Sequence, residues 1–409
     1  MPRLIFVNRF FHPDHSATSQ LLGDLTFHLA EAGFDVHVVT SRQIYDDASR
    51  DLSKHESVRG VQVHRVWATR FGRGRLLLRA VDYLTFYLSA MAKLARLARS
   101  GTVVIAETDP PLLSVPSAAI ARLSRASLIN WTQDLFPEIA ENLGVPGIAL
   151  VAPLLRRLRN FSLRSAHTNV VLSEGMGLRV RGEGIAEDKI EVIHNWSPVE
   201  TGSPSALTSA NPLREEWGLG RKFVVGYSGN FGRAHDFATV LDAAAALRDL
   251  PHVHFLFVGA GAQRAWLQEH VATLGLSNVS FRPYQPLDRL ALSLSVPDVH
   301  LVSLKPELEG LIVPSKFYAV LAAGRPVLFV GNATGEMARQ IEDADCGRAF
   351  AAGAPTDLAA AIRDLAGRPD QVAKMGERAR ALWAARFQRK HALAAWQALV
   401  TRVSAGTKG

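Results

Sequence analysis

The feature that most constrains the fold is a regular alternation of short apolar strand patterns and amphipathic helix patterns. In the first half, runs such as LIFV at 4–7 and VHVVT at 36–40 alternate with helical stretches such as 20–33, where leucines recur at helical spacing. Short apolar strands separated by helices are typical of a parallel sheet covered on both faces. The sequence therefore predicts an α/β domain over residues 1-195.

The alternation lapses at 196-221 and then restarts. This stretch is rich in Ser, Pro, Thr and Gly, which predicts a linker. Strand and helix patterns then continue over 222-385, and a helical pattern follows over 386-404. Ligands of open α/β sheets bind at the carboxyl ends of the strands. We therefore expect two Rossmann-like, doubly wound parallel-sheet domains facing a cleft.

Composition limits the class of partner. The 409 residues carry a net charge of +8, which favours an anionic partner: nucleic acid, anionic lipid or a phosphorylated substrate. The single cysteine, Cys346, excludes an internal disulfide and a multi-cysteine metal site. The first residues, MPRLIFVNRFF, do not have the pattern of a secretion signal, and we expect no bilayer-spanning segment.

A glycine-rich turn follows the strand pattern FLFVG in the second half. Gly259 and Gly261 form a GxG turn that runs into a helical pattern, and backbone N–H groups at such a turn suit phosphate. No glycine stands three residues after Gly261, so the dinucleotide fingerprint is incomplete. No turn matches GxxxxGK[ST], which argues against a P-loop nucleotidase.

Two further turns of the second half carry cations. Gly229 and Gly232 precede Arg233 after one strand pattern, and Ser315 and Lys316 stand in the first turn of a helix predicted to begin near Pro314. A cation near a helix start is most often a solvated surface group. Because both turns follow strands of one predicted sheet, their convergence favours an anion-binding site.

Several motifs, in order along the chain, resemble one enzyme family. FVGAG and VPSKFYAVLAAGRPVLFVG resemble the donor domain, and NRFFHPDHSATSQLLGDLTFHLAEAGFDVHVVTS and INWTQDLFPE resemble the acceptor domain, of retaining glycosyltransferases of the two-Rossmann (GT-B) type, family four. The resemblance covers nearly the whole chain, and it implies that the helix predicted over 386-404 crosses back to the first domain. It is strongest to the bacterial branch that builds O-antigen, colanic-acid and other exopolysaccharide repeat units.

The resemblance implies an enzyme that transfers a sugar from a UDP- or GDP-linked donor to a glycan acceptor, with retention. It implies a polyprenyl-diphosphate-linked oligosaccharide as acceptor and no cofactor. Such a transfer needs charge stabilisation on the departing diphosphate, and we assign that role to Arg233 and Lys316. There is no obvious Asp-x-Asp motif at a predicted strand end, so we expect no metal. Asp134 either orients a hydroxyl of acceptor or donor, or caps the helix that follows.

The remaining candidates fall into two sets. The acceptor candidates follow the first strand pattern: His15, Ser16 and Thr18. The donor candidates follow strand patterns of the second half: Gly229, Asn230, Gly232, Gly259, Gly261, Tyr284, Glu309, Gly310, Pro314, Ser315 and Glu336. For His15 the alternative is a solvated loop residue.

The chain departs from the family pattern at three places. Leu311 and Ala319 stand where members carry a pair of glutamates, although Glu309 lies close by. His235 stands near the place of a phosphate-binding lysine, and Gln133 precedes Asp134 where many members have His. The missing glutamate pair leaves open a catalytically weakened nucleotide-sugar-binding protein, and the two-domain organisation leaves open a non-hydrolysing nucleotide-sugar epimerase.

Two stretches of the first half mix basic and apolar residues. Residues 70–100 and 154–164 combine Arg and Lys with Leu, Phe and Tyr. Basic amphipathic helices often bind an anionic membrane surface, whereas the alternative is an ordinary core-facing helix with a charged outer side. We expect a cytoplasmic protein attached peripherally to the inner face of the cytoplasmic membrane. We expect no nucleic-acid partner, because the chain lacks a recognisable readout motif.

Overall fold

The computed structural model describes residues 2–44, 51–72, 76–197 and 211–406. Within these ranges the chain forms two compact units. The first unit takes the described residues of Met1–His194, Gly310–Val313 and Lys390–Gly409. The second unit takes the described residues of Asn195–Glu309 and Pro314–Arg389.

The first unit is built on one sheet. Its strands are β1 (Arg3–Val7), β2 (Asp35–Ser41), β3 (His55–Val58), β4 (Val61–Val66), β5 (Val103–Glu107), β6 (Ser127–Trp131), β7 (Thr168–Val171) and β8 (Ile190–Val192). The strand order in the described part is β3-β4-β2-β1-β5-β6-β7-β8. The pairings of β4 through β8 are parallel, and β3 joins β4 antiparallel at the edge.

The second unit has its own sheet. Its strands are β9 (Phe223–Ser228), β10 (Val253–Val258), β11 (Val279–Arg282), β12 (Val299–Ser303), β13 (Val327–Gly331) and β14 (Gly347–Ala351). Their order in the described residues is β11-β10-β9-β12-β13-β14, and the pairing is parallel throughout. This is the Rossmann order, in which the direction of winding reverses between β9 and β12. The prediction of two parallel-sheet α/β domains is confirmed.

Helices connect these strands. Those of the first unit are α1 (Ala17–Glu31), α2 (Leu76–Leu97), α3 (Ser114–Leu123), α4 (Glu138–Asn142), α5 (Ile148–Ser165) and α6 (Glu174–Gly182). The later helices are α7 (Pro212–Glu216), α8 (Ala238–Ala246), α9 (Arg264–Thr273), α10 (Leu290–Ser295), α11 (Lys316–Ala322), α12 (Glu336–Asp343), α13 (Pro355–Ala366), α14 (Pro369–Leu382) and α15 (Arg389–Gly406). Among the described residues no helix is long and apolar enough to cross a membrane.

The core of the second unit explains why its strands read as continuous apolar runs. Every residue of β10 is buried, because helices cover both faces of the parallel sheet. At one face Tyr227, Phe231, Phe237 and Phe257 pack ring against ring, with centroids 4.8 to 6.1 Å apart. Removing one buried ring of such a cluster typically costs about 3–5 kcal/mol.

The linker prediction at 196-221 needs a correction. Residues 198–210 lie outside the described residues, but 211–221 pack into the second unit. Asn211 caps α7 by accepting the Leu213 N–H through its side chain at 2.9 Å, and Leu213 is fully buried. The apolar residues Leu213, Trp217 and Leu219 belong to the core of the second unit. The polar residues around them in the sequence led to the linker prediction.

The C-terminal helix α15 belongs to the first unit from Lys390 onward. Its Trp396 is fully buried and lies against Trp131 at the end of β6, with ring centroids 4.9 Å apart. His28 of α1 and Gln397 of α15 are joined by a 2.9 Å hydrogen bond. The helix predicted over 386-404 therefore packs on elements of the first half of the chain.

Candidate functional site

The turns after β9 and β10 are bound to each other by backbone hydrogen bonds. The Phe231 N–H donates to the Ala260 carbonyl at 2.8 Å, and the Gln263 N–H donates to the Phe231 carbonyl at 2.9 Å. Gly259 and Gly261 have φ angles of 141° and 150°, which strain any residue with a Cβ. A Cβ on Gly259 would also lie 2.0 Å from the Gly229 carbonyl oxygen.

The GxG turn therefore has a packing role. A Cβ on Gly261 would come within 2.3 Å of the Asn230 side chain, so the glycines let two neighbouring turns approach closely. Helix α9 begins at Arg264, three residues after Gly261. Two other donor candidates flank these turns: the Gly232 carbonyl accepts from Gln263 Nε2 at 2.6 Å, and the exposed Tyr284 hydroxyl lies 3.5 Å from the Ala260 carbonyl.

Lys316 is held at the point where the sheet winding reverses. It begins α11, with Ser315 as the N-cap residue, and its side chain crosses to the end of β9. Its Nζ donates a hydrogen bond to the Tyr227 hydroxyl and lies 3.2 Å from His235 Nε2. The Gly229 position lies beside it, since a Cβ there would be 3.5 Å from Lys316 Cε. Ligands of open α/β sheets bind at such a switch point.

The hydrogen bonds fix the protonation of this cluster. His235 Nδ1 lies 2.5 Å from the Ser303 carbonyl, an oxygen that can only accept, so Nδ1 carries the proton. Burial, reinforced by the charge of Lys316, lowers the pKa of His235 to about 3, so the ring is neutral and Nε2 is an acceptor. The Tyr227 hydroxyl donates to the Asn230 carbonyl at 2.9 Å. Both partners of Lys316 therefore accept from it.

Burial also acts on Lys316 itself. Desolvation lowers the pKa of the ammonium well below its ordinary value of 10.5, because the charged form loses solvation. An arriving anion would offset that loss and favour the charged form. The arrangement suits a ligand that carries negative charge to this position.

Arg233 lies in the turn after β9 and is exposed. Asn230 in the same turn is also exposed, and Ser315 is the exposed residue next to Lys316. Pro314 is buried at the start of α11, where its carbonyl accepts the Phe317 N–H at 3.0 Å. These candidates thus share the carboxyl edge of the second sheet, at the ends of β9 and before α11.

Glu309 lies at the amino end of helix α12. Its Oε1 accepts the Glu336 N–H at 2.6 Å, and a Cβ on Gly335 would lie 1.9 Å from the same oxygen. A carboxylate at this position stabilises a helix through the positive end of its dipole. The hydrogen bond between the Glu309 carboxylate and the Glu336 N–H therefore stabilises the start of α12 within the second unit.

Gly310 belongs to the first unit, unlike its neighbours Glu309 and Pro314. A Cβ on Gly310 would lie 3.1 Å from the Gly175 carbonyl. The following residues continue the contact, because the Leu135 N–H donates to the Leu311 carbonyl at 2.9 Å. The structure packs Gly310 on first-unit residues, and its assignment to the donor set stays a prediction.

Two carboxyl groups lie at the ends of β5 and β6 in the first unit. Glu107 is 1% exposed, and its Oε1 accepts from Gln133 Nε2 at 3.4 Å. Burial, followed by the charges of Asp109 and Asp134, raises the pKa of Glu107 well above its ordinary value. Burial likewise raises the pKa of Asp134 from 3.8 to about 6, against a hydrogen bond from Thr108.

Asp134 does not cap the helix that follows it. Helix α4 begins at Glu138 with Pro137 as N-cap residue and no side-chain cap. Asp134 Oδ1 has no hydrogen-bond partner within the described structure. Its backbone instead bridges to Ile312. The structure therefore excludes the capping role for Asp134, and the orienting role stays a prediction.

The acceptor candidates lie in the turn between β1 and α1. His15 is exposed, and its carbonyl accepts from Gln20 Nε2 at 2.8 Å. Ser16 is the N-cap residue of α1, and its Oγ has no partner among the residues described. Thr18 is half-buried in the first turn of α1. Their roles stay predictions.

Sequence reasoning missed three residues of these clusters. Tyr227 reads as one more apolar strand residue, and His235 was noted only as a departure from a family position. Glu107 ends a buried strand, TVVIAE, and an acidic residue at that position was the available signal. No group of three or more His, Cys, Asp or Glu side chains in the described ranges is arranged to hold a metal ion.

Two family models match the chain in succession. The glycosyl transferase 4-like domain matches residues 19–196, and the glycosyl transferases group 1 domain matches residues 210–382. Together with the two parallel-sheet units, these matches identify a glycosyltransferase of the GT-B fold. The chain belongs to the family-four glycosyltransferases, whose two domains these models describe. The predicted family is confirmed.

Curated relatives agree with this assignment. A protein of Escherichia coli K12 named as a colanic acid biosynthesis glycosyl transferase, WcaI, is 26% identical over 342 residues, which cover 81% of this chain and 84% of that protein. The glycosyltransferase WbjE of Pseudomonas aeruginosa is 28% identical over 301 residues, covering 72% and 74% of the two chains.

Solved structures share the fold at low identity. Sucrose-phosphate synthase from Thermosynechococcus elongatus has a TM-score of 0.77 at 16% identity, over 99% of this chain and 100% of that one. HepE from Anabaena in complex with UDP-glucose has a TM-score of 0.71 at 17% identity, over 98% and 100%. At this identity the likeness establishes the fold alone.

Proposed function

We propose that this glycosyltransferase takes its sugar from a nucleoside-diphosphate donor, UDP- or GDP-linked, and transfers it with retention to a growing surface polysaccharide. The observation that carries the proposal is the Lys316 ammonium at the switch point between β9 and β12. The UDP-glucose complex of HepE and the name of the colanic-acid relative WcaI support the donor and the pathway class.

The chemistry follows from the charge that develops on the departing diphosphate. Lys316 neutralises an oxygen of that group, and Arg233 in the turn after β9 supplies a second positive charge. Asp134 orients a hydroxyl of the acceptor or of the donor sugar through its unpartnered Oδ1. Retention is carried over from the family. The proposed mechanism uses the side chains alone and requires no metal ion or cofactor.

The acceptor in this proposal is an oligosaccharide linked to a polyprenyl diphosphate at the inner face of the cytoplasmic membrane. Support comes from the outer side of the first unit, where α3 packs against both α2 and α5. These helices expose large apolar residues together with arginines. Leu84, Leu88 and Leu150 are 56%, 66% and 88% exposed. Apolar residues on the outer side favour a membrane surface over an ordinary solvated helix face.

The experiment that tests the function is donor turnover with substitutions of the two cations. Lys316→Ala or Arg233→Ala should slow transfer from the accepted nucleotide sugar by about tenfold or more, because leaving-group stabilisation is lost. Initial rates with a panel of UDP- and GDP-sugars and a lipid-linked acceptor measure this. Wild-type rates in both variants would reject the mechanism, and donor binding without turnover in the wild type would favour the weakened binding protein.

A further inference from the structure

The Lys316 cluster contains two side chains with no role in the proposal so far. Tyr227 is fully buried, yet its hydroxyl reaches Lys316 from one side. His235 Nε2 approaches the same Nζ at 3.2 Å from a different position in the chain. Each partner is fixed by a second hydrogen bond, to the Asn230 and Ser303 carbonyls respectively. The ammonium is thus held from two sides by groups that are themselves held.

An ammonium group has three N–H bonds, and this geometry uses two of them. Tyr227 and His235 accept one each, so one N–H remains for a ligand in the described structure. A flexible lysine side chain loses considerable rotamer entropy when it must be ordered by its ligand. A lysine ordered in advance avoids that loss and stabilises developing charge without reorganisation.

We propose that Tyr227 and His235 are positioning residues that orient Lys316 so that its remaining N–H meets the diphosphate of the donor. The inference rests on the proposed function. It also accounts for a histidine where the family carries a lysine: a neutral acceptor holds a cation that comes from another element, α11. The contacted titratable groups are Tyr227, from β9, and His235, from the turn before α8.

The test uses substitutions that separate the two hydrogen bonds of His235. His235→Asn keeps a donor near Nδ1 for the Ser303 carbonyl but removes the acceptor near Nε2. His235→Gln keeps an acceptor near Nε2. Tyr227→Phe removes the hydroxyl and keeps the ring. As matched controls, His254→Asn alters a buried histidine bonded to Ser280, and Tyr318→Phe alters a buried tyrosine of α11.

The probes are UDP and uridine, with GDP and guanosine in parallel, measured by calorimetric titration of the full chain. Tyr227→Phe and His235→Asn should weaken binding of the diphosphate about tenfold, the typical effect of losing a hydrogen bond to a charged group. Binding of the nucleoside should change less than about twofold, because it has no phosphate for Lys316 to contact. His235→Gln and both controls should bind like the wild type.

The outcomes separate the inference from the function. Unchanged diphosphate affinity in Tyr227→Phe and His235→Asn would overturn the positioning role and leave the proposed function intact. Equal losses for diphosphate and nucleoside, or an equal loss in His235→Gln, would also overturn it, since that pattern reports a structural defect. A wild-type chain that binds neither diphosphate would reject the proposed function together with this inference.

Discussion

At the scale of single residues, the candidate site is defined by buried polar groups whose charge is disfavoured. Lys316 and His235 have lowered pKa values and Glu107 and Asp134 have raised ones, all with burial as the largest cause. Buried titratable groups destabilise a fold, and they concentrate at functional sites. In both units these groups lie at the carboxyl ends of strands, where the fold places ligands.

Asp134 tests whether a buried titratable group at the candidate site lowers the stability of the fold. Its pKa of about 6, against an ordinary 3.8, means that the folded protein binds more protons than the unfolded chain between these values. Stability therefore falls as pH rises from about 4 to about 6. Asp134→Asn should remove this fall and raise the free energy of unfolding at pH 7 by up to about 3 kcal/mol. Transfer activity should decrease.

Urea unfolding at pH 4 and pH 7 measures the effect. The control is Asp364→Asn: Asp364 is a surface carboxyl whose pKa is lowered by its hydrogen bond to Arg348. That substitution should lower stability at pH 7 or leave it unchanged. If Asp134→Asn were destabilised equally at both pH values, the buried charge at Asp134 would not be the cause.

At the scale of elements, local patterns predicted the strands well and the tertiary roles poorly. Continuous apolar runs marked β1, β9 and β10 to within about two residues, because buried parallel strands leave no other pattern. Strands β3 and β14 were missed, since HESV and GRAFA mix polar and apolar residues at a sheet edge. The contacts of Lys316 with β9 join residues 89 positions apart, which no local pattern contains.

The GxG turn, which the sequence suggests for phosphate binding, packs closely against the turn after β9. Gly259→Ala should destabilise the second unit by more than about 2 kcal/mol, because its Cβ would meet the Gly229 carbonyl and its φ of 141° would be strained. Gly275→Ala is the matched control. Gly275 also has a positive φ, 61°, but nothing lies within 4 Å of its Cβ position.

The control should lose only about 1 kcal/mol, the cost of the backbone conformation alone. Free energies of unfolding from urea titration give both values. Equal losses in the two variants would show that the close approach of the turns after β9 and β10 contributes nothing.

The exposed apolar faces of α2 and α5 predict membrane binding. The double substitution Leu150→Gln/Leu154→Gln should reduce partitioning onto anionic vesicles about tenfold or more, since each leucine buried in a membrane contributes roughly 1.5–3 kcal/mol. Flotation with phosphatidylglycerol vesicles measures it, with phosphatidylcholine vesicles as the neutral comparison. Leu178→Gln/Leu274→Gln, exposed leucines of α6 and of the residue after α9, is the matched control.

Equal flotation of the wild type with neutral and anionic vesicles would show that the basic residues do not contribute to membrane binding. Equal flotation of the two double variants would show that the leucines of α5 do not contribute to membrane binding. Either result would leave the donor side of the enzyme unaffected.

At the scale of the whole molecule, the repeated alternation of strands and helices was sufficient to predict two parallel-sheet units, whereas the family was predicted from the resemblance of several motifs. The alternation could not predict which separate segments of the chain belong to each unit. Residues 211–221 join the second unit through three apolar side chains, and Gly310–Val313 joins the first through backbone hydrogen bonds. Such memberships depend on packing between distant segments, which a linear pattern does not encode.

The central claim is that a preordered lysine at the switch point of the second sheet neutralises the donor diphosphate. A crystal structure of the full chain with UDP, or with GDP if that is the nucleotide bound, tests it most directly. We expect a diphosphate oxygen about 3 Å from Lys316 Nζ, with the hydrogen bonds to Tyr227 and His235 retained. A diphosphate bound far from both Lys316 and Arg233 would contradict it.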